Sequence, residues 1–595
     1  MPTYRAPLRE FRFVLEEYLR IDEYSAVPGY AELLGGTLSA LLEGAARIAE
    51  GVAQPLNRTG DAEGCHWQAG EVTTPAGFRD AYRQYAEAGW IGLALDPAYG
   101  GKGLPAVAAE SCYEILSAAN MAFSGYIELS EAVFSAIHAH GTSEQKARWL
   151  PKLAAGEWTG AMHLTESHAG SDLRLVRTRA LPQADGSYRL HGEKCFITNA
   201  EHDLAPNIVN VVLARIADAP GGSEGLSLFI APKFQVEANG NLGVRNALQC
   251  VSIEHKMGLR AAPTGAIAFD GARAELLGEP GKGLRAMFAM VNDARLGVAL
   301  QGLGQAEVAC QNAALYARER RQGRALVPTP GAADPVAIAA HPDVRRMLMS
   351  MRAFTEAARG LGLGLALQLD LAARHPDPSV RARAERRCAL LTPVIKAHFT
   401  DQGVECANVA LQCFGGYGYI AETGVEQFLR DARITQIYEG TNGIQALDLV
   451  RRKLTLSGGE AVREFCSDVA ATVAAARTAP VVAPLADALG HALADLEVAT
   501  YWMQERTGTN VVDAAGGATD YLRLFGLVAL GHVWLEYARI AAAAVADGAA
   551  DCRFYERKLV LARHYMRRIL PETSWLRARA MQPAADLMAL EEEDL

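Results

Sequence analysis

Three stretches of the chain carry the apolar spacing of α-helices over many consecutive turns, at 284–316, 342–373 and 380–413. A typical globular helix has only about 11 residues. Helices this long must bury an apolar stripe along their whole length, and other long helices can cover it. The pattern therefore predicts a bundle of long antiparallel helices, which any fold of this chain has to contain.

The segment before the bundle has a different pattern. Short apolar runs rich in β-branched residues occur at 195–198, 208–213 and 226–230, separated by Gly, Asn and Asp. Such runs are typical of strands in a small antiparallel sheet or barrel. Helical patterns also occupy the chain before 160 and after 465. We therefore predict a mainly α fold with a central β-domain, made of N-terminal helices (1–160), a β-barrel-like domain (161–280), a long four-helix bundle (281–456) and an added C-terminal helical domain (465–595).

Composition argues against several classes of function. The 595-residue chain has a formal net charge of −10 and no block of Lys and Arg, which disfavours a nucleic-acid partner. Its ten cysteines lack C-x-x-C spacing, so we predict no metal site and expect a reducing, cytoplasmic location. The N-terminus lacks the features of a signal peptide, and no uninterrupted apolar run is long enough to predict a membrane span.

Two stretches could bind a phosphate or a polar ring. In 162–172 (MHLTESHAGSD), Thr165 and Ser171 stand among small residues, and their hydroxyls could meet such a ligand together with backbone N–H groups. An ordinary loop with Ser171 or Asp172 as a helix N-cap explains the stretch as well. The glycines of 415–419 (GGYGY) permit close approach of the backbone to a ligand, and a helix C-cap is the alternative.

Two further stretches carry charge. The arginines of 318–324 (RERRQGR) could bind a pyrophosphate in bidentate fashion, or they could form a solvated helix terminus. Glu439 stands between Tyr438 and Gly440 in 438–445 (YEGTNGIQ), where partial desolvation suits a general base. The alternative is a carboxylate at the surface that caps a helix.

In this order, these stretches resemble the signatures of the acyl-CoA dehydrogenase superfamily. LTESHAGSD (164–172) resembles its flavin loop, KCFITN (194–199) its K-x-W-I-T-N strand, and ARERRQGR (317–324) its E-R-x-x-F-G helix end. ALQCFGGYGY (410–419) and RDARITQIYEGTNGIQ (430–445) resemble its two C-terminal signatures. The length and the added C-terminal region resemble a large bacterial subgroup, which includes 3-(methylthio)propanoyl-CoA dehydrogenases and broad-range fatty acyl-CoA dehydrogenases.

The resemblance implies an enzyme that uses FAD to convert an acyl-CoA thioester to the trans-2-enoyl-CoA. Glu439 would remove the α-proton, flavin N5 would accept the β-hydrogen as hydride, and the Glu439 backbone N–H would polarise the thioester carbonyl. The expected acyl-CoA contacts are Ser171, Arg295 and Gly440. The expected FAD contacts are Met162, Leu164, Thr165, Phe196, Ile197 and Thr198 at the isoalloxazine ring, and Arg320, Gln322 and Thr441 elsewhere, with Gln412, Gly415 and Gly416 from a neighbouring subunit.

Three departures from the family signatures have structural consequences. Ser167 replaces the usual proline of the flavin loop, so a less rigid loop is expected. Gly323 stands where phenylalanine is usual, which puts the adenine-side contacts in question. Glu128 and Glu131 lie on a helix that lines the acyl pocket in relatives. We expect both to face solvent, and the alternative is a pocket for a short or polar acyl group.

The resemblance also implies partners. We expect an electron-transfer flavoprotein as the acceptor and a homo-oligomer, most simply a homodimer. An acyl-CoA oxidase, in which oxygen accepts the electrons, is the second enzyme hypothesis. A non-catalytic flavin-bound binding protein is the third, and the presence of Glu439 argues against it.

Overall fold

The computed structural model describes residues 2–237, 239–327 and 334–595, and for 288–293 only the course of the backbone. The chain forms two compact units. One is Gly44–Gly297, and the other combines Met1–Glu43 with Val298–Leu595. The N-terminal segment therefore belongs to the same unit as the C-terminal half, whereas the sequence patterns assigned it to a domain ending at 160.

Helices and strands are numbered in chain order. The helices are α1 (Leu8–Arg12), α2 (Thr37–Ile48), α3 (Gln54–Glu63), α4 (Phe78–Glu87), α5 (Ala106–Ala119), α6 (Met121–His140), α7 (Ser143–Ala154), α8 (Gly283–Glu319), α9 (Pro342–Arg374), α10 (Pro378–Phe414), α11 (Gly416–Tyr419), α12 (Glu426–Ala432), α13 (Asn442–Asp448), α14 (Glu460–Ala476), α15 (Ala483–Thr509), α16 (Val511–Ala546), α17 (Cys552–Arg568) and α18 (Glu572–Ala580). The strands are β1 (His66–Gln68), β2 (Glu71–Thr73), β3 (Thr159–His163), β4 (Arg179–Pro182), β5 (Tyr188–Thr198), β6 (Ile208–Ile216), β7 (Leu226–Pro232), β8 (Phe234–Val236), β9 (Leu242–Arg245), β10 (Leu248–Ile253) and β11 (Thr264–Leu277).

Five strands of the Gly44–Gly297 unit close into a barrel-like ring. β5 pairs with β4, β4 with β6, β6 with β7, β7 with β11, and β11 again with β5. β10 extends the sheet from β11, and β3 runs parallel to β6. The predicted mainly α fold with a central, barrel-like β-domain is confirmed.

Strand β6 pairs with β3, β4 and β7. All of its residues from 208 to 214 are buried, as expected for a strand that is covered on both faces. Leu190, Val212 and Phe229, from three different strands, belong to one buried cluster. Helix α6 packs on β3 at Gly160, where an added Cβ would lie 2.7 Å from the Cβ of Val133. The helix can approach the strand only because residue 160 is glycine.

The three long helical patterns of the sequence form α8, α9 and α10, and α16 from the C-terminal region packs on α9 and α10. Two glycines permit this contact. An added Cβ at Gly360 would lie 2.2 Å from the Tyr537 hydroxyl, and one at Gly526 would lie 2.5 Å from the His398 ring. Among the described helices, α16 alone is long and apolar enough to cross a membrane, and 78% of its most apolar stretch is buried inside the protein.

A buried ion-pair network joins the N-terminal segment to the long helices and the C-terminal region. Lys558 of α17 has no exposed surface and binds the carboxylates of Glu10 in α1 and Glu356 in α9, the latter at 2.7 Å. Arg359 of α9 binds Glu307 of α8 at 3.1 Å. Burying an ammonium group is costly unless acceptors surround it. This requirement specifies where the N-terminal segment lies.

Candidate active site

The loop that carries LTESHAGSD leads from β3 towards β4 and contacts the end of β5. The Thr165 carbonyl accepts the Cys195 N–H at 3.0 Å. The loop residues 164–172 are therefore held beside 196–198, the last residues of β5. The two motifs that the resemblance assigned to the flavin ring come together within one unit.

A buried ion pair anchors this loop. Lys194 of β5 donates to the Leu164 carbonyl and to the Glu166 carboxylate, both at 2.9 Å. The same carboxylate accepts the backbone N–H groups of Arg177 and Thr178 at 2.8 and 3.0 Å. The loop is thus fastened on both sides although it lacks the proline of the family.

The two charges stabilise each other. Burial lowers the pKa of Lys194 to about 8, although the Glu166 carboxylate raises it. Burial by itself would raise the pKa of Glu166, but attraction from Lys194 and the hydrogen bonds from Thr178 and Arg177 hold that pKa below its usual range. Each partner therefore favours the ionised form of the other.

Two residues of KCFITN have a left-handed backbone, which is uncommon for residues other than glycine. Phe196 has φ of +57° and is 64% exposed. Asn199 has φ of +58° and is buried, and neither polar atom of its side chain has a hydrogen-bond partner among the described residues. Strained and unsatisfied residues of this kind mark ligand sites. The end of β5 therefore fits a polar ring system such as isoalloxazine.

The other flavin-ring candidates differ in how accessible they are. Met162 and Ile197 are buried, and the Ile197 side chain belongs to the barrel core, so its backbone is the part that can reach a ligand. Leu164 is half-buried. Thr198 is also half-buried, with its hydroxyl 3.2 Å from that of Thr264.

The loop contains both a cap and a candidate acyl-CoA contact. Asp172 caps a short 3-10 turn, because its carboxylate accepts the Arg174 N–H at 3.1 Å. Ser171 precedes this cap and is exposed, as a contact to CoA requires. Arg295, another substrate candidate, is buried within α8.

The candidate base Glu439 lies in a left-handed turn before α13. Glu439 has φ of +53° and Gly440 has φ of +88°, and both are half-buried. The N-cap of α13 is Thr441, whose hydroxyl accepts the Ile444 N–H at 3.4 Å. The alternative that Glu439 is the N-cap is therefore wrong, and its role as the general base stays a prediction.

Side chains from two helices hold this turn. Lys396 of α10 donates to the Gly440 carbonyl at 2.8 Å. Gln445 of α13 donates to the Glu439 carbonyl at 3.1 Å. The position of the candidate base is therefore set by buried side chains that lie outside the turn.

The remaining cofactor candidates line one groove of about 390 Å³. Tyr316 and Phe414 stack in its wall with ring centroids 4.2 Å apart, which brings the C-terminal ends of α8 and α10 together. The resemblance implies that some of these candidates reach the FAD of a neighbouring subunit, which stays a prediction, and all of the candidates lie in one groove of this chain. They are Arg320, Gln322, Gln412, Gly415 and Gly416.

The groove fits the pyrophosphate and adenosine half of FAD. Gly415 is the C-cap of α10 with φ of +60°, and a Cβ added at Gly415 or Gly416 would meet no atom within 4 Å. The exposed guanidinium of Arg320 and the carboxamide of Gln412 supply donors suited to phosphate oxygens. No group of three or more His, Cys, Asp or Glu among the described residues could hold a metal ion.

The His341 ring lies beside Gly323, the position where the family signature has phenylalanine. Gly323 has φ of +75°, and an added Cβ would lie 3.2 Å from His341 Nε2. The same nitrogen lies 2.8 Å from the Gln322 carbonyl, and the Gln322 N–H donates to the Val336 carbonyl at 2.9 Å. The segment after α8 is thereby held beside the groove without the phenylalanine.

The expectation that Glu128 and Glu131 face solvent is wrong. Both are half-buried because almost all of α6 is covered. The Tyr113 hydroxyl donates to Glu128 at 2.9 Å, and the Gly92 N–H donates to Glu131 at 3.3 Å. Burial raises the pKa of the Glu131 carboxyl to about 7, although the hydrogen bond from Gly92 lowers it.

Sequence reasoning missed the residues that hold the motifs in place. Lys194 and Gln445 stand inside the motifs but received no role. For Lys396 a signal existed, since it is a single charge within the apolar run 390–399 (LLTPVIKAHF) of the sequence. A lysine in such a run is almost never buried without partners.

Comparison with known families matches most of the chain between residues 39 and 591. The chain matches "Acyl-CoA dehydrogenase, N-terminal domain" over 39–157 and "Acyl-CoA dehydrogenase, middle domain" over 161–272. It matches "Acyl-CoA dehydrogenase, C-terminal domain" over 281–454 and "Acetyl-CoA dehydrogenase C-terminal like" over 463–591. The four matches follow one another along the chain without overlap.

Individual relatives span nearly the same length. A 3-methylmercaptopropionyl-CoA dehydrogenase of Ruegeria pomeroyi is 41% identical and covers 96% of this chain and 97% of its own. A broad-specificity linear acyl-CoA dehydrogenase of Mycobacterium tuberculosis is 32% identical and covers 100% of both chains. A solved structure of an acyl-CoA dehydrogenase complexed with FAD from Bacillus anthracis shares the fold, with a TM-score of 0.74 at 21% identity over 94% of this chain and 89% of its own.

Lys194→Met should weaken FAD binding. The change removes the cation that binds the Leu164 carbonyl and the Glu166 carboxylate. Because a buried carboxylate without its cation is costly, the loop should move so that Glu166 reaches water. The affinity of the apoprotein for FAD, measured by quenching of flavin fluorescence, should fall by about tenfold or more. A tenfold fall is a loss of roughly 1.4 kcal/mol in binding free energy. Lys233→Met removes another buried lysine, which is paired with Glu201, and should lower the melting temperature while FAD affinity is retained. Equal FAD affinity in the Lys194→Met and Lys233→Met variants would contradict the assignment of the loop 164–172, held by Lys194, to FAD binding.

Glu131→Gln should stabilise the protein more at pH 8 than at pH 5. The folded-state pKa of Glu131 is about 7 against a reference value of 4.5. Its contribution to stability is therefore present at low pH and is lost as pH rises through 7, by about 3 kcal/mol in all. The difference in melting temperature between the variant and the parent should grow with pH. The exposed Glu144→Gln is the control, and a pH-independent difference for Glu131→Gln would refute the burial effect.

Proposed function

The chain belongs to the acyl-CoA dehydrogenase family and is an FAD-dependent enzyme that oxidises acyl-CoA thioesters, and we propose that Glu439 is its catalytic base. The geometry of the turn carries this proposal. A half-buried carboxylate stands on a left-handed backbone, while Thr441 supplies the helix cap. Backbone strain of this kind clusters at active sites.

The chemistry requires a weak base to deprotonate a weak carbon acid. A carboxylate can do so when water is excluded around it and when fixed N–H donors meet the oxygen on which negative charge develops. We assign proton removal to the Glu439 carboxylate and polarisation of the thioester oxygen to the Glu439 backbone N–H. FAD, when bound, accepts the β-hydrogen with its electron pair. Gly440 provides the second left-handed residue that the turn needs.

We propose two sets of FAD contacts, each described within its own compact unit. The isoalloxazine ring is assigned to 164–165 and 196–198, supported by the exposed Phe196 and the unsatisfied amide of Asn199. The pyrophosphate and adenosine are assigned to the groove with Arg320 and Gly415. The Thr441 hydroxyl accepts a helix N–H and keeps its own proton to donate to the cofactor.

The proposed substrate is a short thioester with a polar chain atom, with 3-(methylthio)propanoyl-CoA as the first candidate. The 41% identical relative carries an activity name of this kind. Glu128 and Glu131, which are half-buried on α6, support a short chain. A long hydrocarbon packed against carboxylates would leave them poorly solvated. A linear fatty acyl-CoA is the alternative, supported by the name of the 32% identical relative.

The acceptor and the assembly are proposed from the family resemblance. Electrons are proposed to pass to an electron-transfer flavoprotein, with oxygen as the competing acceptor. A homodimer is proposed, and the exposed Tyr417, Tyr419 and Ile420 beside the groove support a second copy, since contiguous exposed apolar side chains mark interfaces. A cytoplasmic location is proposed because all ten cysteines are free thiols, as expected in a reducing compartment.

Glu439→Gln should keep FAD and lose turnover. The amide has nearly the same shape as the carboxylate but cannot accept the α-proton. The rate of flavin bleaching in anaerobic stopped-flow mixing with acyl-CoA should fall by about 10²–10⁴-fold, the usual contribution of a general base. The flavin spectrum and melting temperature should be unchanged. Glu405→Gln, at an exposed position of α10, should match the parent, and normal bleaching by Glu439→Gln would remove it as the base.

A panel of thioesters should rank the substrates. With 3-(methylthio)propanoyl-, butanoyl-, octanoyl- and palmitoyl-CoA, we expect the highest kcat/KM for the first because the carboxylates of α6 disfavour long chains. The measurement is anaerobic bleaching of the bound flavin. A preference for palmitoyl-CoA would replace the thioether proposal by the fatty acyl alternative. Repeating the best substrate in air while measuring hydrogen peroxide separates a dehydrogenase from an oxidase.

A further inference from the structure

Two buried side chains from outside the turn donate hydrogen bonds to the backbone carbonyls of Glu439 and Gly440. Lys396 has no exposed surface. Its Nζ donates to the Gly440 carbonyl at 2.8 Å and to the Asn442 side-chain oxygen at 2.9 Å. Gln445, which is also fully buried, donates from Nε2 to the carbonyls of Glu439 at 3.1 Å and Gly440 at 3.4 Å. Both left-handed residues therefore have their carbonyls fixed from outside the turn.

A second layer of contacts fixes the orientation of Asn442. Its Nδ2 donates to Asp401 Oδ1 at 2.7 Å and to Thr400 Oγ1 at 2.9 Å. Gln436 donates to the same Asp401 oxygen at 2.7 Å. Because the amide nitrogen is committed to α10, the amide oxygen must face Lys396. The turn, α10 and the start of α13 thus form one connected set of hydrogen bonds.

Capping of helix α13 does not require the hydrogen bonds from Lys396 and Gln445. Thr441 already caps that helix through the Ile444 N–H. A cation in the interior is costly unless its hydrogen bonds are met, and here the charge of Lys396 is directed at the carbonyl that follows Glu439. The direction in which the Glu439 side chain leaves the backbone depends on the two carbonyls that Lys396 and Gln445 hold.

We propose that Lys396 and Gln445 are positioning residues, which fix the Glu439 carboxylate in the direction needed for α-proton removal. This inference rests on the proposed role of Glu439 as the base. Neither side chain exchanges a proton with the substrate. Both act through the backbone of 439–440, so their loss should slow C–H cleavage without weakening the binding of FAD or acyl-CoA.

The test uses Lys396→Met and Gln445→Leu in the FAD-loaded full chain. Each change keeps most of the side-chain volume and removes the donors. We expect flavin reduction by acyl-CoA to slow by about 10²-fold, the effect of a displacement near 1 Å at a reacting group. The dissociation constants of FAD and acyl-CoA should stay within a factor of about three of the parent. The kinetic isotope effect of an α,α-dideuterated substrate should rise, because C–H cleavage becomes slower than other steps.

A second measurement isolates proton removal from electron transfer. 3-Thiabutanoyl-CoA has sulfur in place of the β-carbon, so it can lose an α-proton but has no β-hydrogen to give. Its deprotonated form next to oxidised flavin is seen as long-wavelength charge-transfer absorption. This band should form about 10²-fold more slowly in both variants than in the parent.

Matched controls distinguish positioning from general loss of stability. Lys558→Met removes another lysine with no exposed surface, and Gln504→Leu removes an amide that donates to the Leu454 carbonyl at 2.7 Å. Both should lower the melting temperature and leave the two rates unchanged. If Lys396→Met does not fold, Gln445→Leu decides the question.

Rates of Lys396→Met and Gln445→Leu equal to those of the controls would overturn the inference. So would a loss of FAD or acyl-CoA affinity as large as the loss of rate. The role of Glu439 is tested separately, because Glu439→Gln is inactive if the proposed function holds. If Glu439→Gln is inactive but Lys396→Met and Gln445→Leu reduce flavin as fast as the parent, the positioning role is refuted and the role of Glu439 as the base stands.

Discussion

Buried lysines, each met by acceptors from a different part of the chain, organise this protein. Lys194, Lys396 and Lys558 have no exposed surface. An ammonium group loses so much hydration on burial that it must find carboxylates or carbonyls in return. Lys194 thereby holds the loop 164–172, Lys396 holds the turn at 439–440, and Lys558 holds the N-terminal segment against α9 and α17. In each case one charge specifies the position of a segment that has little regular structure of its own.

Three residues with left-handed backbones lie near these buried lysines or near the carbonyls that the lysines bind. Phe196 and Asn199 share the motif KCFITN with Lys194, and Glu439 immediately precedes Gly440, whose carbonyl Lys396 binds. A non-glycine residue keeps such a conformation only where its surroundings compensate for it. At Glu439, the hydrogen bonds of Lys396 and Gln445 supply that compensation. They connect the stability of the fold to the geometry of the candidate site.

Much of the fold could be predicted from sequence because it depends on local periodicity. The stretches 284–316, 342–373 and 380–413 became α8, α9 and α10 with ends that differ by a few residues, and the β-branched runs became strands of the barrel. Glu128 and Glu131 were placed wrongly because they occupy the polar face of α6, and a single sequence does not show what covers that face. The meeting of Gln412 and Arg320 in one groove could not be predicted from sequence, because it depends on how the ends of α8 and α10 pack.

The sequence by itself determined the order of the motifs, the types of helix and strand, and which residue is the candidate base. Each of these depends on residues that are neighbours along the chain. The tertiary structure decided which groups hold those motifs. Lys396 and Gly440 are far apart in sequence, yet their atoms lie 2.8 Å apart, and no periodic pattern records such a pair. Glu439 shows both what the sequence determines and what the tertiary structure decides. Its neighbours in the chain identify it as the candidate base, whereas its backbone conformation depends on buried donors, and burial is a property of the folded chain alone.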